Sequence, residues 1–460
     1  RRWQDVCKVS IAPLDSTVYG SLFTTPAMRA VFSDEGRLQR MLDVEAALAR
    51  VEAKLGLIPV EAAKEITAQA DVAHFDLVSI GQGTALVGYP IVPLARALAR
   101  ACKGDAGRYV HWGATTQDMI DTGLVLQLRD GLDLIGQDLE AIEAALAGLA
   151  RRHRDTPMAG RTHAQHALPI TFGYKCALWL APLQRHRVRL ARLREQVAVV
   201  QFGGAVGTLA SLGADGIGVM EGLAAELRLA VPPIAWHVGR DGLAEVASFL
   251  GLVTGSLGKI ATDVTLLMQT EVGEVAEPHQ EGRGGSSTMP QKRNPIACEF
   301  ILACAKNVRQ QVAVMLDAMV QDHERATGPW HAEWIALPQA FALTGGALHH
   351  TRRMLEGLVV DPARMRRNLD MTRGMISAEA VMMALAPHVG REQAHHLVAA
   401  ACDRAIGSGR HLGEELRADP EVSAHLSGDR LDQLLDPGNY TGLAAQFVDR
   451  VLAQGPDSSD

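Results

Sequence analysis

Residues 128–149, LRDGLDLIGQDLEAIEAALAGL, carry the pattern that decides the fold of this chain. Their large apolar residues recur at alternating intervals of four and three, which places them on one face of a long helix. No proline falls between positions 93 and 157, so this helix can run without a break. The seam consists of Leu128, Leu132, Ile135, Leu139, Ile142, Leu146 and Leu149. Such a seam predicts a long helix packed within a bundle.

Two later segments repeat the seam and lead to an all-α prediction. The first contains Leu243, Val246, Leu250, Val253, Leu257, Ile260, Val264 and Leu267. The second contains Ile301, Val308, Val312, Met315 and Met319. Helices of this length have more apolar surface than one small core uses, so we expect the surplus faces to pack against other subunits. Aromatic residues make up only 4% of the chain, which also favours helix over sheet.

The remaining segments predict three helical domains, 1–110, 111–356 and 357–460. The first contains a helix that begins after Ser33 or Asp34 and ends at Gly56. Its apolar stripe is Leu38, Met41, Val44, Leu48, Val51 and Leu55. We expect a loop at 81–90, GQGTALVGYP, and no strong run of alternating strands. Prolines punctuate short helices in the last domain, at Pro362, Pro387, Pro420 and Pro437.

Composition excludes several classes of protein. The net charge of −7 over 460 residues, with no basic block, argues against a nucleic-acid partner. No apolar run reaches the roughly 18 residues of a membrane span, and the first residues lack a signal-peptide core. We therefore expect a cytoplasmic protein. The six dispersed cysteines form no CxxC pair, which favours reduced core thiols over a zinc site or a disulfide framework.

Three polar segments interrupt the helical pattern. The first, HWGATTQD at 111–118, precedes the first long helix. Thr115, Thr116 and Asp118 would lie near its N-terminus, where free backbone N–H groups attract a carboxylate. An ordinary helix cap is the alternative interpretation.

The second segment, GRTHAQH at 160–166, holds two histidines, an arginine and a glutamine. His163 is a candidate general acid or base because histidine exchanges protons near neutral pH. A metal site is poorly supported, since two histidines three apart have no carboxylate or thiol beside them. A buried histidine with a structural role is the other alternative.

The third segment is GRGGSSTMPQKRNP at 282–295. Its glycines favour a loop that opens and closes. Ser286 and Ser287 offer hydroxyls, and the cations Lys292 and Arg293 follow closely, before Pro295 and the next helix. A serine alkoxide near neutral pH needs such positive charge and amide donors. The chain contains neither a GxxxxGK[ST] phosphate loop nor a GxSxG elbow, which disfavours a P-loop protein and a serine hydrolase.

This third segment resembles the GSSxMPxKxNP signature of the fumarase/aspartase superfamily, and the other two resemble its remaining motif regions in order. The resemblance implies an all-helical, L-aspartase-like homotetramer that needs no metal or cofactor, with each active site drawn from three subunits. It implies that Ser286 exchanges the proton α to a carboxylate and that His163 is an acid or base. Lys292 is the third expected catalytic residue. The expected substrate-binding residues are Asn294, Thr115, Thr116, Gln165, Ser287, His111, Arg283, Arg293 and Met289.

Four stretches, 109–130, 199–213, 265–278 and 323–334, resemble the bacterial 3-carboxy-cis,cis-muconate cycloisomerases. That likeness implies closure of a di- or tricarboxylate diene, or an analogue such as a sulfonated muconate, to a lactone. A C–N or C–X lyase that releases fumarate is the alternative. A departing amine needs a proton that His163 would supply, and Gln291 replaces a histidine usual in those cycloisomerases. A non-catalytic helical structural protein is the third hypothesis.

Overall fold

The computed structural model describes residues 10–278, 289 and 291–454, and in this part α-helices dominate as predicted. The α-helices are Gly20–Phe23, Pro26–Phe32, Asp34–Lys54, Val60–Gln69, Leu77–Val87, Ile91–Ala101, Thr116–Arg152, Phe172–Val197, Gly216–Leu227, Asp241–Leu267, Ile296–Asp317, Pro329–Glu356, Pro362–Leu369, Ala378–Val389, Arg391–Ser408, Leu412–Arg417, Pro420–Ser423, Gly428–Leu435 and Ala444–Leu452. Short 3-10 helices are Pro13–Asp15, Val72–His74, Ala106–Tyr109, Gly213–Asp215, Asp370–Thr372, Met375–Ser377 and Pro437–Asn439.

The chain divides into two compact units. The first comprises the described residues of Arg1–Leu139, His186–Gly258 and Phe300–His350. The second comprises those of Glu140–Arg185, Lys259–Glu299 and Thr351–Asp460. The five longest helices each contribute residues to both units. The three-domain boundaries drawn from the sequence stay a prediction.

The helical seams are buried as the sequence predicts. Every seam residue between Leu128 and Leu149, and between Leu243 and Leu267, is at most 4% exposed. The third seam is correct at Ile301, Val308 and Met315. Its extension to Met319 is wrong, because the helix ends at Asp317 and Met319 is exposed.

The helix Asp241–Leu267 is long and apolar enough to cross a membrane by length and composition alone. This differs from the expectation that no apolar run reaches such a length. However, 61% of its most apolar window is buried inside the protein, as in the core helix of a bundle. Its membrane-like composition is therefore weak evidence for a span.

The helix Asp34–Lys54 begins and ends as the sequence predicts. The Ser33 hydroxyl accepts a hydrogen bond from the Gly36 N–H, which caps the first turn. Gly56 follows the last turn with a φ of 76°, a left-handed conformation that favours glycine. Leu55, assigned to the apolar stripe, is instead 47% exposed.

The predicted loop at 81–90 is wrong, because most of it belongs to the helix Leu77–Val87. Asp76 caps this helix through the Val78 N–H, and Gly88 ends it in the left-handed conformation. A Cβ on Gly83 would lie 2.7 Å from the Cβ of Pro93, so the glycine permits close packing with the helix Ile91–Ala101. The glycines therefore serve helix packing instead of a turn.

The expectation of no strong run of alternating strands agrees with the few strands of the described residues, although two antiparallel strand pairs occur. Strands Pro157–Thr162 and Gln165–Thr171 form an antiparallel hairpin, and Val275–Ala276 pairs antiparallel with Val359–Val360. No turn signal marks this hairpin in the sequence, because its two-residue turn, His163-Ala164, contains no glycine. It contains the whole second motif.

Two carboxyl groups are buried on the helix Asp34–Lys54. Glu45 is 1% exposed and accepts hydrogen bonds from His111. Glu52 is fully buried, and within the described part of the chain neither of its carboxyl oxygens has a hydrogen-bond partner. Burial, and next the negative charge of Glu45, raise the pKa of Glu52 to about 8. Glu52 is therefore held mostly as the neutral acid at neutral pH.

Glu52→Gln should flatten the pH dependence of stability. Because the folded pKa lies above the ordinary value, the stability that Glu52 contributes is complete below about pH 4.5 and is lost as the pH rises through about 8. The slope reaches up to about 1.4 kcal/mol per pH unit. Urea unfolding at several pH values measures it. The exposed Glu61→Gln is the control, and equal slopes in wild type and Glu52→Gln would refute the assignment.

Candidate active site

Hydrogen bonds to the buried carboxylate of Asp118 hold the first motif in place. Asp118 lies on the first turn of the helix Thr116–Arg152. Its oxygens accept hydrogen bonds from the N–H groups of Thr115 at 3.0 Å, Gly203 at 3.0 Å and Gly204 at 2.9 Å. The Nε2 of His237 lies 2.7 Å from the same carboxylate. Thr115 and Thr116 do lie at the helix start, as predicted. The carboxylate that takes the Thr115 N–H, however, is the protein's own.

Arg325 brings a cation to this motif that the sequence did not identify. Its guanidinium donates to the Thr115 hydroxyl at 3.1 Å and to the Ala205 carbonyl at 2.8 Å. Arg325 is half-buried and belongs to the stretch 323–334, for which the sequence shows only a resemblance and no role for this residue. An arginine fork beside a threonine hydroxyl at a helix start is an arrangement suited to a carboxylate ligand.

His111 lies at the other end of the first motif and is half-buried. Its backbone N–H and its Nδ1 both contact the Glu45 carboxylate, at 3.1 Å and 2.6 Å. Burial alone would lower the pKa of His111, but the charge and hydrogen bond of Glu45, with a further contribution from Asp118, raise it above the ordinary value. His111 is therefore a second candidate cation in the first unit.

An aromatic cluster follows Arg325 on the helix Pro329–Glu356. Ring centroids of Trp334 lie 4.9 Å from Trp330 and 4.7 Å from His331. Tyr89 stacks on Trp330 at 6.0 Å. Trp330 is only 3% exposed, so it belongs to the core, whereas His331 and Trp334 are half-buried. On this helix, the aromatic rings of the cluster that remain accessible to a ligand are thus His331 and Trp334.

A buried ionic triad supports the cluster. Arg240 donates two hydrogen bonds to Asp121, at 2.7 and 3.0 Å, and two to Glu333, at 3.0 and 2.6 Å. The indole N–H of Trp330 donates to Asp121 at 3.1 Å. All three charged side chains are at most 1% exposed. The guanidinium therefore joins two carboxylates whose charges would otherwise be uncompensated inside the protein.

The second motif forms the hairpin of the second unit, with His163 and Ala164 as its two-residue turn. Their φ angles are 51° and 62°, a left-handed conformation at both turn positions that matches the twist of a hairpin. His163 and the neighbouring Gln165 are exposed within this chain. Non-glycine residues in this conformation need support from the surrounding structure. The turn therefore presents the predicted acid or base at a strained position.

A buried ion pair supplies that support. Arg161 donates to both carboxylate oxygens of Glu274, at 2.9 and 2.7 Å, and the Asn368 amide donates to the same carboxylate at 2.7 Å. Glu274 is fully buried. His166, the second histidine of the motif, has a buried Nδ1 without a partner among the described residues. Burial, and next the charge of Arg161, lower the pKa of His166, which favours its neutral form.

The third motif lies partly outside the described residues. Most of the predicted loop falls outside that part of the chain, including Arg283, Ser287 and the predicted catalytic Ser286.

The rest of this motif belongs to the second unit. Met289, Lys292 and Arg293 are exposed, and Asn294 is half-buried before the helix Ile296–Asp317. The Glu277 carboxylate accepts the N–H groups of Ala297 and Cys298, at 3.0 and 2.9 Å, and so caps this helix. In residues 10–278, 289 and 291–454, no group of three or more metal-ligating side chains occurs.

Comparisons with known proteins cover nearly the whole chain. A family model described as lyase matches residues 22–310, and one described as adenylosuccinate lyase C-terminus matches residues 374–451. The chain is 52% identical over 440 residues to a 3-carboxy-cis,cis-muconate cycloisomerase of Pseudomonas aeruginosa, covering 95% of this chain and 96% of the relative. It is 48% identical over 433 residues to trans-aconitate decarboxylase 1 of Mycosarcoma maydis, covering 94% and 88%.

Solved structures agree with this relationship. The crystal structure of 3-carboxy-cis,cis-muconate lactonizing enzyme from Pseudomonas putida matches with a TM-score of 0.92 at 48% identity. The match covers 97% of this chain and all of the other. The likeness therefore extends to both fold and sequence.

Arg240→Met should destabilise the protein by about 3–5 kcal/mol, because it leaves the carboxylates of Asp121 and Glu333 buried without their partner. Arg40→Met is the matched control. Arg40 pairs with Asp43 and Asp130 at a partly exposed site, where a loss under about 1 kcal/mol is expected. Denaturant unfolding at fixed protein concentration measures both losses. Equal losses would contradict the role given to the triad.

Proposed function

The chain belongs to the lyase family of the fumarase/aspartase superfamily, and from this premise we propose that it is a 3-carboxy-cis,cis-muconate cycloisomerase acting without a cofactor. The observation that carries the proposal is the 52% identity to such a cycloisomerase over 95% of the chain. The match to the lactonizing enzyme from Pseudomonas putida adds support.

The substrate class follows from what the relatives are named for. Both 3-carboxymuconate and trans-aconitate are unsaturated tricarboxylates, although the reactions of the two relatives differ. In the first unit Arg325 and His111 supply two candidate cations, and the helix start at Thr116 supplies backbone N–H groups. Cations and N–H donors at one motif suit a ligand that carries several carboxylates.

The reaction needs one bond-forming step and one proton. A carboxylate oxygen of the substrate adds to the β carbon of a double bond, and the electron pair of that bond moves toward the second carboxylate as an enediolate. A proton then reaches the α carbon and gives the lactone. We assign this proton to Ser286, with Lys292 and Asn294 stabilising the enediolate by charge and hydrogen bonding. Thr115, Thr116 and Gln165 are assigned to the carboxylates.

We further propose that the enzyme is a cytoplasmic homotetramer whose active sites combine motif regions from different subunits. The long helices support this proposal, because they leave large apolar side chains exposed within one chain. Examples are Leu178, Leu252, Leu266 and Leu316, each at least 50% exposed. Exposed apolar residues in such numbers along bundle helices are typical of subunit interfaces.

Purified protein should convert 3-carboxy-cis,cis-muconate to its lactone, with loss of the diene absorbance and without added metal. Chelator treatment should leave the rate unchanged. Ser286→Ala should reduce kcat by about 100-fold or more, because general acid–base catalysis contributes about that much. A folded tetramer that leaves the substrate untouched would refute the cycloisomerase assignment.

The alternative is a C–N or C–X lyase that uses His163 to protonate the leaving group. The exposed turn at His163 is the observation that favours it. A carboxylate nucleophile requires no such proton, so His163→Asn should leave lactone formation within about 10-fold of wild type, far less than the loss of a general acid would cause. Release of fumarate from N- or S-substituted succinates, abolished by the same substitution, would instead establish the lyase.

A further inference from the structure

We propose that Glu45 is a positioning residue for His111, which it holds so that the opposite ring nitrogen, Nε2, donates a hydrogen bond to a carboxylate of the substrate. This inference rests on the proposed function, because it concerns an anionic substrate at the first motif. It adds a residue outside all three motifs, on the helix Asp34–Lys54.

The geometry fixes both the backbone and the ring of His111. One Glu45 oxygen accepts the His111 backbone N–H at 3.1 Å, while the other lies 2.6 Å from Nδ1. Two contacts from one carboxylate leave the ring little rotational freedom about its side-chain bonds. Nδ1 and Nε2 belong to one rigid planar ring, so fixing the orientation of the first also fixes the direction of the second. Nε2 has no hydrogen-bond partner among the described residues.

The backbone of His111 also requires this support. Its φ of 63° lies in the left-handed region, which costs a non-glycine residue free energy unless contacts compensate. The Glu45 carboxylate is 1% exposed and comes from a helix whose buried stripe is firmly packed. A rigid anchor thus holds a strained residue whose side chain remains 25% exposed. A strained backbone that is held by a buried partner and carries a partly exposed side chain is typical of a functional position.

The surrounding charges favour the doubly protonated ring. Glu45 is in direct contact, and Asp118 adds a weaker attraction that is shared with its own partner, His237. Glu52, the other buried acid on the same helix, is mostly neutral near pH 7 because its pKa is raised to about 8. Glu45 therefore supplies most of the negative charge that favours a proton on both ring nitrogens. With Nδ1 bound to Glu45, the Nε2–H remains to meet an anion.

Glu45→Gln tests this role, with Glu52→Gln as the matched control on the same helix. The amide keeps the size of the side chain but removes the charge, so the pKa of His111 falls and the charged imidazolium is disfavoured. We expect the KM for 3-carboxymuconate to rise about 10-fold at about pH 7.5, equivalent to one charged hydrogen bond of about 1.4 kcal/mol. The effect on kcat should be smaller. Glu52→Gln should change the KM by less than about 2-fold, since it removes no contact with His111.

Recovery at low pH separates positioning from mere support of the fold. As the pH is lowered from about 7.5 to about 5.5, the protonated fraction of His111 in Glu45→Gln rises, so the KM ratio of mutant to wild type should fall. In the His111→Asn background, Glu45→Gln should add no further pH dependence. A KM defect that stays constant between these pH values would overturn the proposal, as would an unchanged KM.

An activity-independent measurement keeps this test distinct from that of the proposed function. The imidazole nitrogen resonances of His111, followed by NMR titration and assigned with His111→Asn, should show a lower pKa in Glu45→Gln than in wild type and no change in Glu52→Gln. Suppose that 3-carboxymuconate is not turned over but the pKa of His111 is still lower in Glu45→Gln than in wild type, with and without the tricarboxylate tricarballylate. The substrate assignment then fails and the Glu45 role stands. An unshifted His111 titration overturns the role itself.

Discussion

A carboxylate removed from water must meet enough donors or a counter-charge, and much of the described structure depends on how that requirement is satisfied. Asp118 illustrates it in the first unit. Its buried oxygens accept from Thr115, Gly203 and Gly204 and contact His237. One side chain thus joins three separate parts of the sequence and fixes the start of the longest helix. Because Asp118 takes the Thr115 N–H, the helix start is left with its threonine hydroxyls and the adjacent Arg325 guanidinium to bind a ligand.

The same requirement separates structural from ligand-facing residues in the stretch 323–334. Glu333 is a buried member of the Arg240 triad, and the buried Trp330 donates a hydrogen bond to Asp121 of that triad. Both residues therefore contribute to stability. Arg325, His331 and Trp334 lie on less buried positions of the same stretch. The resemblance of the stretch as a whole to cycloisomerases therefore combines two kinds of residue. We expect differences in substrate among relatives to involve the second kind, because a change in the first kind removes a partner from the buried triad.

In the second unit, an ion pair stabilises a turn instead of a helix start. Arg161 and Glu274 anchor the hairpin, whose turn places His163 in a left-handed conformation. Glu274 lies more than a hundred positions away in the sequence, and Asn368 a further ninety or so, yet both meet Arg161 or its partner. Residues far apart in sequence therefore determine how the second motif is presented. The motif itself contains the histidine but not its support.

The sequence alone determined the helical architecture, because a seam of apolar residues at helical spacing leaves few other ways to bury them. It also located the three motif regions, since their residue types are specific in themselves. It misjudged 81–90, where glycines permit helix packing against Pro93, and overlooked the hairpin at 157–171, where no glycine marks the turn. Only the tertiary structure decided that Glu45 holds His111, that Arg325 reaches Thr115 and that Arg240 joins Asp121 to Glu333. Pairings of this kind depend on which distant side chains burial brings together, and no local pattern in a single sequence records them.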